Sequence, residues 1–369
     1  MVEKTSSLPA RDNTLAMAGC NTYNENCGQQ HQAMEASLPL FADINLSCLG
    51  PNISIADYGC SQGATSLHVM QRIVAGLPPR SVATLLFNDL PSNDFNSLIK
   101  LLSNLAPNPT TSMHPFIVPN SFYNHVFPPS TIDIAFALSA VHWLRELPPP
   151  KLPTETTEEY LSKRASRNDV SSHKDLVCFL NLRGYEIKPG GKFVLASPSP
   201  IADDSDGRKT GNTKLRLAIF RAMDILMEAG KLPSDASAGV YPPAHVHTKE
   251  SLYAAVAETK MAWTIEDLYY RVVPHPAYII MLDAQARAGS DETKKVAAAE
   301  VYAAVIVDWF LAVLKPFMLK WWIERGLTED KGEMVFQECS QLAKKEVMRN
   351  GGVSYSVAQD YVFARLRRE

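Results

Sequence analysis

Two carboxylates and two glycines mark the part of this chain whose residue types could do chemistry. Asp57 closes a short apolar run, Ile53-Ser54-Ile55-Ala56, and is followed by Tyr58-Gly59-Cys60-Ser61-Gln62-Gly63. Asp89 follows a second run, Val82-Ala83-Thr84-Leu85-Leu86, inside the decapeptide Phe87-Asn88-Asp89-Leu90-Pro91-Ser92-Asn93-Asp94-Phe95-Asn96. An acid just beyond the carboxyl end of a strand lies where open α/β sheets bind ligands, and there it can accept hydrogen bonds from both hydroxyls of a ribose. Glycines at 59 and 63 let backbone approach a ligand closely. The dinucleotide spacing G-x-G-x-x-G is absent. An acid ahead of the first glycine would repel a pyrophosphate but could hold a cationic group, such as the amino end of S-adenosylmethionine. Two acids flanking one βαβ crevice therefore favour a sulfonium nucleoside over NAD. Taken alone, the 87–96 segment is equally an ordinary strand-to-helix turn.

The elements that must position these residues alternate between strand and helix. Strands are expected at 53–57, 82–87, 116–118, 132–138 and 192–196, with helices at about 32–41, 64–74, 95–105 and 173–187. Ser92, Asn93 or Asp94 can cap the helix that starts at Phe95. This order predicts an α/β fold with a doubly wound, mostly parallel Rossmann-like sheet. Residues 148–172 and 199–213 read as loops rich in Pro, Ser, Thr and charge. Helical patterns dominate from 214 to 258 and from 291 to 325, as expected of a helical cap subdomain, while strand-like runs at 263–271 and 277–283 and a last strand over 355–367 complete the core. The expected units are an amino-terminal arm and helix over the site (1–45), the α/β core (46–200), a mainly helical cap with interspersed core strands at about 263–283 (201–330), and a carboxy-terminal helix and strand (331–369).

Composition excludes several classes. At 369 residues and 46% apolar, the chain can bury a large core. A net charge of −3 gives no global attraction to nucleic acid or anionic membrane, so neither partner is expected. The six cysteines, at 20, 27, 48, 60, 178 and 339, form no C-x-x-C pair, and no signal segment precedes them. Reduced cytoplasmic thiols are therefore expected, with no metal site. His245 and His247 have ligand-like spacing but no evident third ligand. The apolar stretch 296–323 has the length of a membrane span, but Glu300, Asp308, Lys315, Pro316 and Lys320 interrupt it, which points to a buried helix or a subunit interface.

Five stretches, two of them those above, carry a resemblance. In order along the chain they are Asn21-Thr22-Tyr23-Asn24-Glu25-Asn26 with Gln30; Ile55 to Ser61; Phe87 to Asn96; Val118-Pro119-Asn120-Ser121-Phe122-Tyr123; and Ser139-Ala140-Val141-His142-Trp143-Leu144. On these residues the sequence resembles the SABATH family of S-adenosylmethionine-dependent methyltransferases, closely over about 17–145 and loosely beyond. The resemblance implies a class I methyltransferase core and transfer of a methyl group to a small-molecule carboxylic acid, giving its methyl ester. The family's other branch methylates heteroaromatic ring nitrogens.

The resemblance also implies roles. Asp89 and Leu90 would hold ribose and adenine, Ser121 and Phe122 would line the adenine, and Asp57 with Gly59 would surround the methionine moiety. Ser139 would border the cofactor, and Tyr23 and Asn26 would close over it. Gln30 and Trp143 would donate N–H groups to the substrate carboxylate, with His142 touching substrate or serving as a base for a ring nitrogen. A homodimer is implied as well. Cys27 replaces the family's usual serine, and Ser139 stands where an aromatic residue is common. Lys214-Leu215-Arg216 replaces a cap aromatic, so Arg216 is a candidate contact for a second polar group on the substrate. A nicotinamide oxidoreductase and a catalytically silent binding protein remain as readings from other classes.

Overall fold

Strand β1 (Asn52–Tyr58) is buried along most of its length, as a strand must be when helices cover both faces of a parallel sheet. A computed structural model describes residues 16–17, 26–146, 152, 154–201, 205 and 207–369. Beside β1 lie β2 (Val82–Asp89), β3 (Ser112–Pro119), β4 (Ile132–Leu138), β5 (Ile187–Ser199), β6 (Trp263–Pro274) and β7 (Ala358–Arg368). They form one seven-stranded sheet in the order β3-β2-β1-β4-β5-β7-β6. Strands β1 to β5 pair in parallel, and β7 enters antiparallel between β5 and β6. The strand order reverses at β1, between β2 and β4, and a crevice opens at their carboxyl ends.

Alternation along the strands builds two cores. On β4, Ile134 and Phe136 join α1 (Gly28–Ala42) and α2 (Ala64–Ala75) on one face. Ala135 and Ala137 join α4 (Thr157–Glu186) and α6 (Lys249–Glu258) on the other. A third apolar cluster lies away from the sheet, mainly among α5 (Arg208–Glu228), α7 (Pro276–Ala288), α8 (Glu292–Ile323) and α9 (Glu329–Arg349). Helix α8 is long and apolar enough to cross a membrane, yet Tyr302, Ile306, Val307, Leu314, Met318 and Trp322 are buried in this cluster. Two of its charges have partners on α9: Asp308 with Lys344 at 2.8 Å and Lys315 with Glu333 at 2.8 Å.

The structure corrects three expected elements. Residues 277–283 are helical, within α7, and not a strand. The β-branched pair Ile279-Ile280 suggests a strand, but the buried positions are Ala277 and Met281, one helical turn apart, and His275 caps the helix with Pro276 as its first residue. The loop expected over 148–172 ends early, because Thr156 and Glu159 form a reciprocal capping box and α4 begins at Thr157. Charged residues on the outer face of α4 hide its helical pattern. Likewise α5 begins at Arg208, inside the segment expected as loop up to 213. Helix α3 (Phe95–Ser103) forms as expected, capped by Asp94, whose side chain accepts from Ser97 N at 3.2 Å.

Candidate active site

The β1–α2 turn requires both of its glycines. Gly59 has φ 98°, and a Cβ there would lie 2.5 Å from Ala140 Cβ. Gly63 has φ 86°, and its Cβ would meet Leu98 Cδ1 at 2.2 Å. Only glycine satisfies a left-handed backbone and such close packing together. The turn is tied to β2 by Asn88, whose carbonyl accepts from the N–H groups of Gly59 (2.9 Å) and Cys60 (3.0 Å). The Asn88 side chain donates across to Val118 O and Asn120 O at the end of β3. A single buried asparagine thus fixes three strand ends around one crevice. Sequence reading passes over it in favour of Asp89.

That crevice is the mouth of a cavity of about 310 Å³. Its walls include Asp57, Gly59, Asp89, Leu90, Ser121, Phe122, Ser139, His142, Trp143 and Gln30, so ten of the expected site residues share one space. Asn26 lies just ahead of α1 and is not among the lining residues. Tyr23 lies outside the described residues. Ala16 and Met17 also line the cavity.

Burial dominates the electrostatics of the cofactor end. It pushes the Asp57 carboxyl up to about 8, with the charge of Asp89 adding to the rise and a hydrogen bond from Ser66 opposing it. Among the described residues, no hydrogen-bond donor meets the buried Oδ1 of Asp57. Burial also raises Asp89, to about 6, against the N–H groups of Ser61 (2.6 Å) and Leu90 (2.7 Å), which favour its charged form. Two carboxylates held partly protonated side by side make a site that gains from a bound cation.

Phe122 is fixed from behind. Fully buried Arg183 donates to Phe122 O (2.7 Å) and Asn124 O (3.0 Å), pairs with Glu186 at 3.0 Å, and lies over the Tyr58 ring. Glu186 in turn accepts from Tyr58 OH and Val126 N, both at 2.7 Å. Ser139 has φ 59° and donates its hydroxyl hydrogen bond to Tyr361 OH at 3.1 Å.

The other end is mostly apolar. The Trp143 ring stacks on Phe317 with centroids 5.5 Å apart and planes 10° apart. Among the described residues, no acceptor meets its indole N–H. His142 leans against the same ring at 4.9 Å. Burial, helped by His247, lowers His142 to about 3, so its ring is neutral at neutral pH. His247 is itself lowered to about 4, chiefly by burial, and points Nε2 at Val141 O (3.3 Å), whereas His245 pairs with Asp169. These two histidines therefore serve the loop that carries Pro242, Pro243 and Ala244 to the cavity wall.

Arg216 is the one Lys or Arg side chain among the lining residues. Lys214, two positions away on α5, turns instead to Asn350 O and the Tyr355 ring. Sequence reading does not find the wall formed by Trp309, Phe310, Val313, Leu314 and Phe317 of α8, or Gln359 and Tyr361 of β7. The apolar stretch expected to be only a buried or interface helix carries one side of the site.

A family model described as SAM-dependent carboxyl methyltransferase matches residues 13–350. Methyltransferase FUS9 of Gibberella fujikuroi is 30% identical over 316 residues, covering 84% of each chain. O-methyltransferase acrG of Aspergillus aculeatus is 30% identical over 325 residues, again 84% of each. The solved structure titled loganic acid methyltransferase with SAH superposes with a TM-score of 0.70 at 22% identity, over 96% of this chain and 99% of that one, and shares the fold. The chain belongs to the S-adenosylmethionine-dependent carboxyl methyltransferases.

Proposed function

We propose that the cavity holds the methyl donor at its Asp57–Asp89 end and the acceptor acid between Gln30 and Trp143. The observation that carries this reading is the buried Asp57 Oδ1, without a donor among the described residues, at one end of a cavity whose other end offers neutral N–H donors. The residues present fit the donor. Asp57 offers an acceptor to an α-ammonium group, Asp89 has lone pairs left for ribose hydroxyls, and Leu90, Ser121 and Phe122 present an adenine slot. Gly59 and Ser139 border the methionine chain, with Tyr23 and Asn26 assigned to closing over it.

S-adenosylmethionine supplies an electrophilic methyl carbon on a sulfonium, so the acid needs to be aligned and not activated. A carboxylate with a reference pKa of about 4 is already ionised at neutral pH. The task of Gln30 and Trp143 is to hold one oxygen in line in a water-poor space, where orientation supplies on the order of 7 kcal/mol or more. Neutral donors suit this role better than Lys or Arg, which would bind the ground state more strongly than the charge-dispersed transition state. His142, neutral and packed on Trp143, supports that ring and brings no cation to the oxygen.

This reading has a pH signature. Below about pH 8 the free protein holds Asp57 protonated, while an ammonium partner needs it ionised, so binding expels a proton. S-adenosylhomocysteine affinity is expected to rise from pH 6 to 8, by at most about tenfold per pH unit. Calorimetry at pH 6, 7 and 8 measures this, and Asp57→Asn should flatten the profile. A flat wild-type profile would remove Asp57 from this role. The sign for stability is opposite: the folded carboxyl stays protonated to higher pH than the unfolded one, so the ligand-free fold loses stability as pH rises between about 4 and 8.

Arg216 supports an acceptor acid with a second oxygen-bearing group. Arg216→Ala is expected to raise KM for the best acceptor about 3- to 10-fold, discounted for the exposure of this residue. An unchanged KM retires the idea. We also read the chain as a cytoplasmic homodimer with no nucleic-acid or membrane partner. Exposed Ile279, Ile280 and Val301 on α7 and α8 support the dimer, as does the small net charge the lack of polyanion partners. Light scattering on the purified protein tests the dimer.

A further inference from the structure

Trp309 reaches from the middle of α8 to α1, where its indole Nε1–H donates to Gln30 Oε1 at 2.9 Å. An indole has one donor and no acceptor, so it can pair only with the oxygen end of a carboxamide. That pairing decides which way the Gln30 amide faces: its oxygen is held by Trp309, and its NH₂ group is left for the cavity both residues line. The reverse orientation would aim a carbonyl oxygen at an acceptor carboxylate and lose the bond to Trp309 as well.

Trp309 is itself held in place. Its ring lies 5.4 Å from that of His275, which is buried and capped onto α7 by accepting from Ala277 N at 3.3 Å. Since Nδ1 accepts, Nε2 carries the proton and the ring is neutral, which agrees with burial lowering His275 to about 4. No positive charge therefore competes for the Gln30 oxygen from this side. The neighbouring Gln29 is tied elsewhere by one of its two amide N–H groups, which donates to Val273 O at 3.1 Å.

We propose that Trp309 is a positioning residue for methyl transfer, locking the Gln30 carboxamide with its N–H toward the acceptor carboxylate. The inference rests on the reading that Gln30 meets the acid. The test is a double-mutant cycle of Trp309→Phe and Gln30→Ala, using the fastest acceptor from a panel of benzoate, phenylacetate, indole-3-acetate, hexanoate and decanoate. Trp309→Phe keeps an aromatic ring in the wall and removes only the donor. It is expected to raise KM for the acid about 5- to 20-fold in the wild-type background, as loss of an aligned hydrogen bond to a charged group would. S-adenosylhomocysteine affinity should stay unchanged. In the Gln30→Ala background the same substitution should change KM by less than about twofold, because the group it positions is gone. Equal effects in both backgrounds would make Trp309 a packing residue and overturn the proposal. If Gln30→Ala alone leaves KM unchanged, the assignment of Gln30 to the acid fails first, which the cycle reports separately.

Discussion

Asp89→Ala is expected to weaken S-adenosylhomocysteine binding by about 100-fold or more, measured by calorimetric titration. Each hydrogen bond to a charged carboxylate contributes roughly 1.5–3 kcal/mol, and a ribose offers two. Both Asp89 oxygens already accept a backbone N–H, from Ser61 and Leu90, yet an ionised carboxylate has about four acceptor positions and keeps two for the ligand. The bond from Ser61 holds its left-handed turn in place and the bond from Leu90 orders the end of β2, so the variant also leaves two N–H groups without acceptors. A melting curve separates that structural loss, expected at about 1–3 kcal/mol, from the loss of ligand contacts. Undiminished binding in a folded Asp89→Ala protein would overturn the assignment of the crevice.

At the other end of the cavity, Trp143→Phe is expected to lower kcat/KM for the acid about 10- to 100-fold while leaving S-adenosylhomocysteine affinity intact. Phenylalanine can keep the stack on Phe317 and the contact with His142 but has no N–H to give the carboxylate. The backbone of Trp143 should stay in place, since its carbonyl accepts from Tyr123 OH at 2.7 Å and residue 143 bridges to Ala244. Trp143→Ala should cost more, because the aromatic wall goes with the donor. Full activity in the Phe variant would reduce Trp143 to a packing surface and leave the carboxylate without its second donor. Steady-state kinetics with saturating cofactor distinguishes the two.

Which parts of the site can be read from sequence follows from how each part is built. Asp57, Asp89, Ser121 and Ser139 each lie at or just past the carboxyl end of a strand, and a parallel sheet brings the carboxyl ends of β1, β2, β3 and β4 to one edge. Local signals therefore suffice for the two acids, whereas Ser121 and Ser139 are legible through the family resemblance. The α8 wall has no such signal: Trp309 and Phe317 reach the cavity only through packing of a distant helix on α1 and on the Trp143 loop. An apolar run of that length reads the same whether it faces a core, a partner or a ligand. Asn88 is hidden by a different cause, since its work is done by a buried amide and a backbone carbonyl beside a more conspicuous acid. The start of α4 is obscured by charge on its outer face, and α7 by two adjacent exposed isoleucines. Gln30 is legible, but the partner that orients it is not, because 279 positions separate the two.

The most direct test of the central claim is transfer of a labelled methyl group from S-adenosylmethionine to a panel of carboxylic acids, followed by mass-spectrometric identification of the product and its treatment with mild alkali. Label is expected on the acid as a methyl ester, released as methanol by alkali, with one S-adenosylhomocysteine formed per ester. Label that resists alkali, on a ring nitrogen, or no transfer to any acid by a protein that binds S-adenosylhomocysteine, would contradict it.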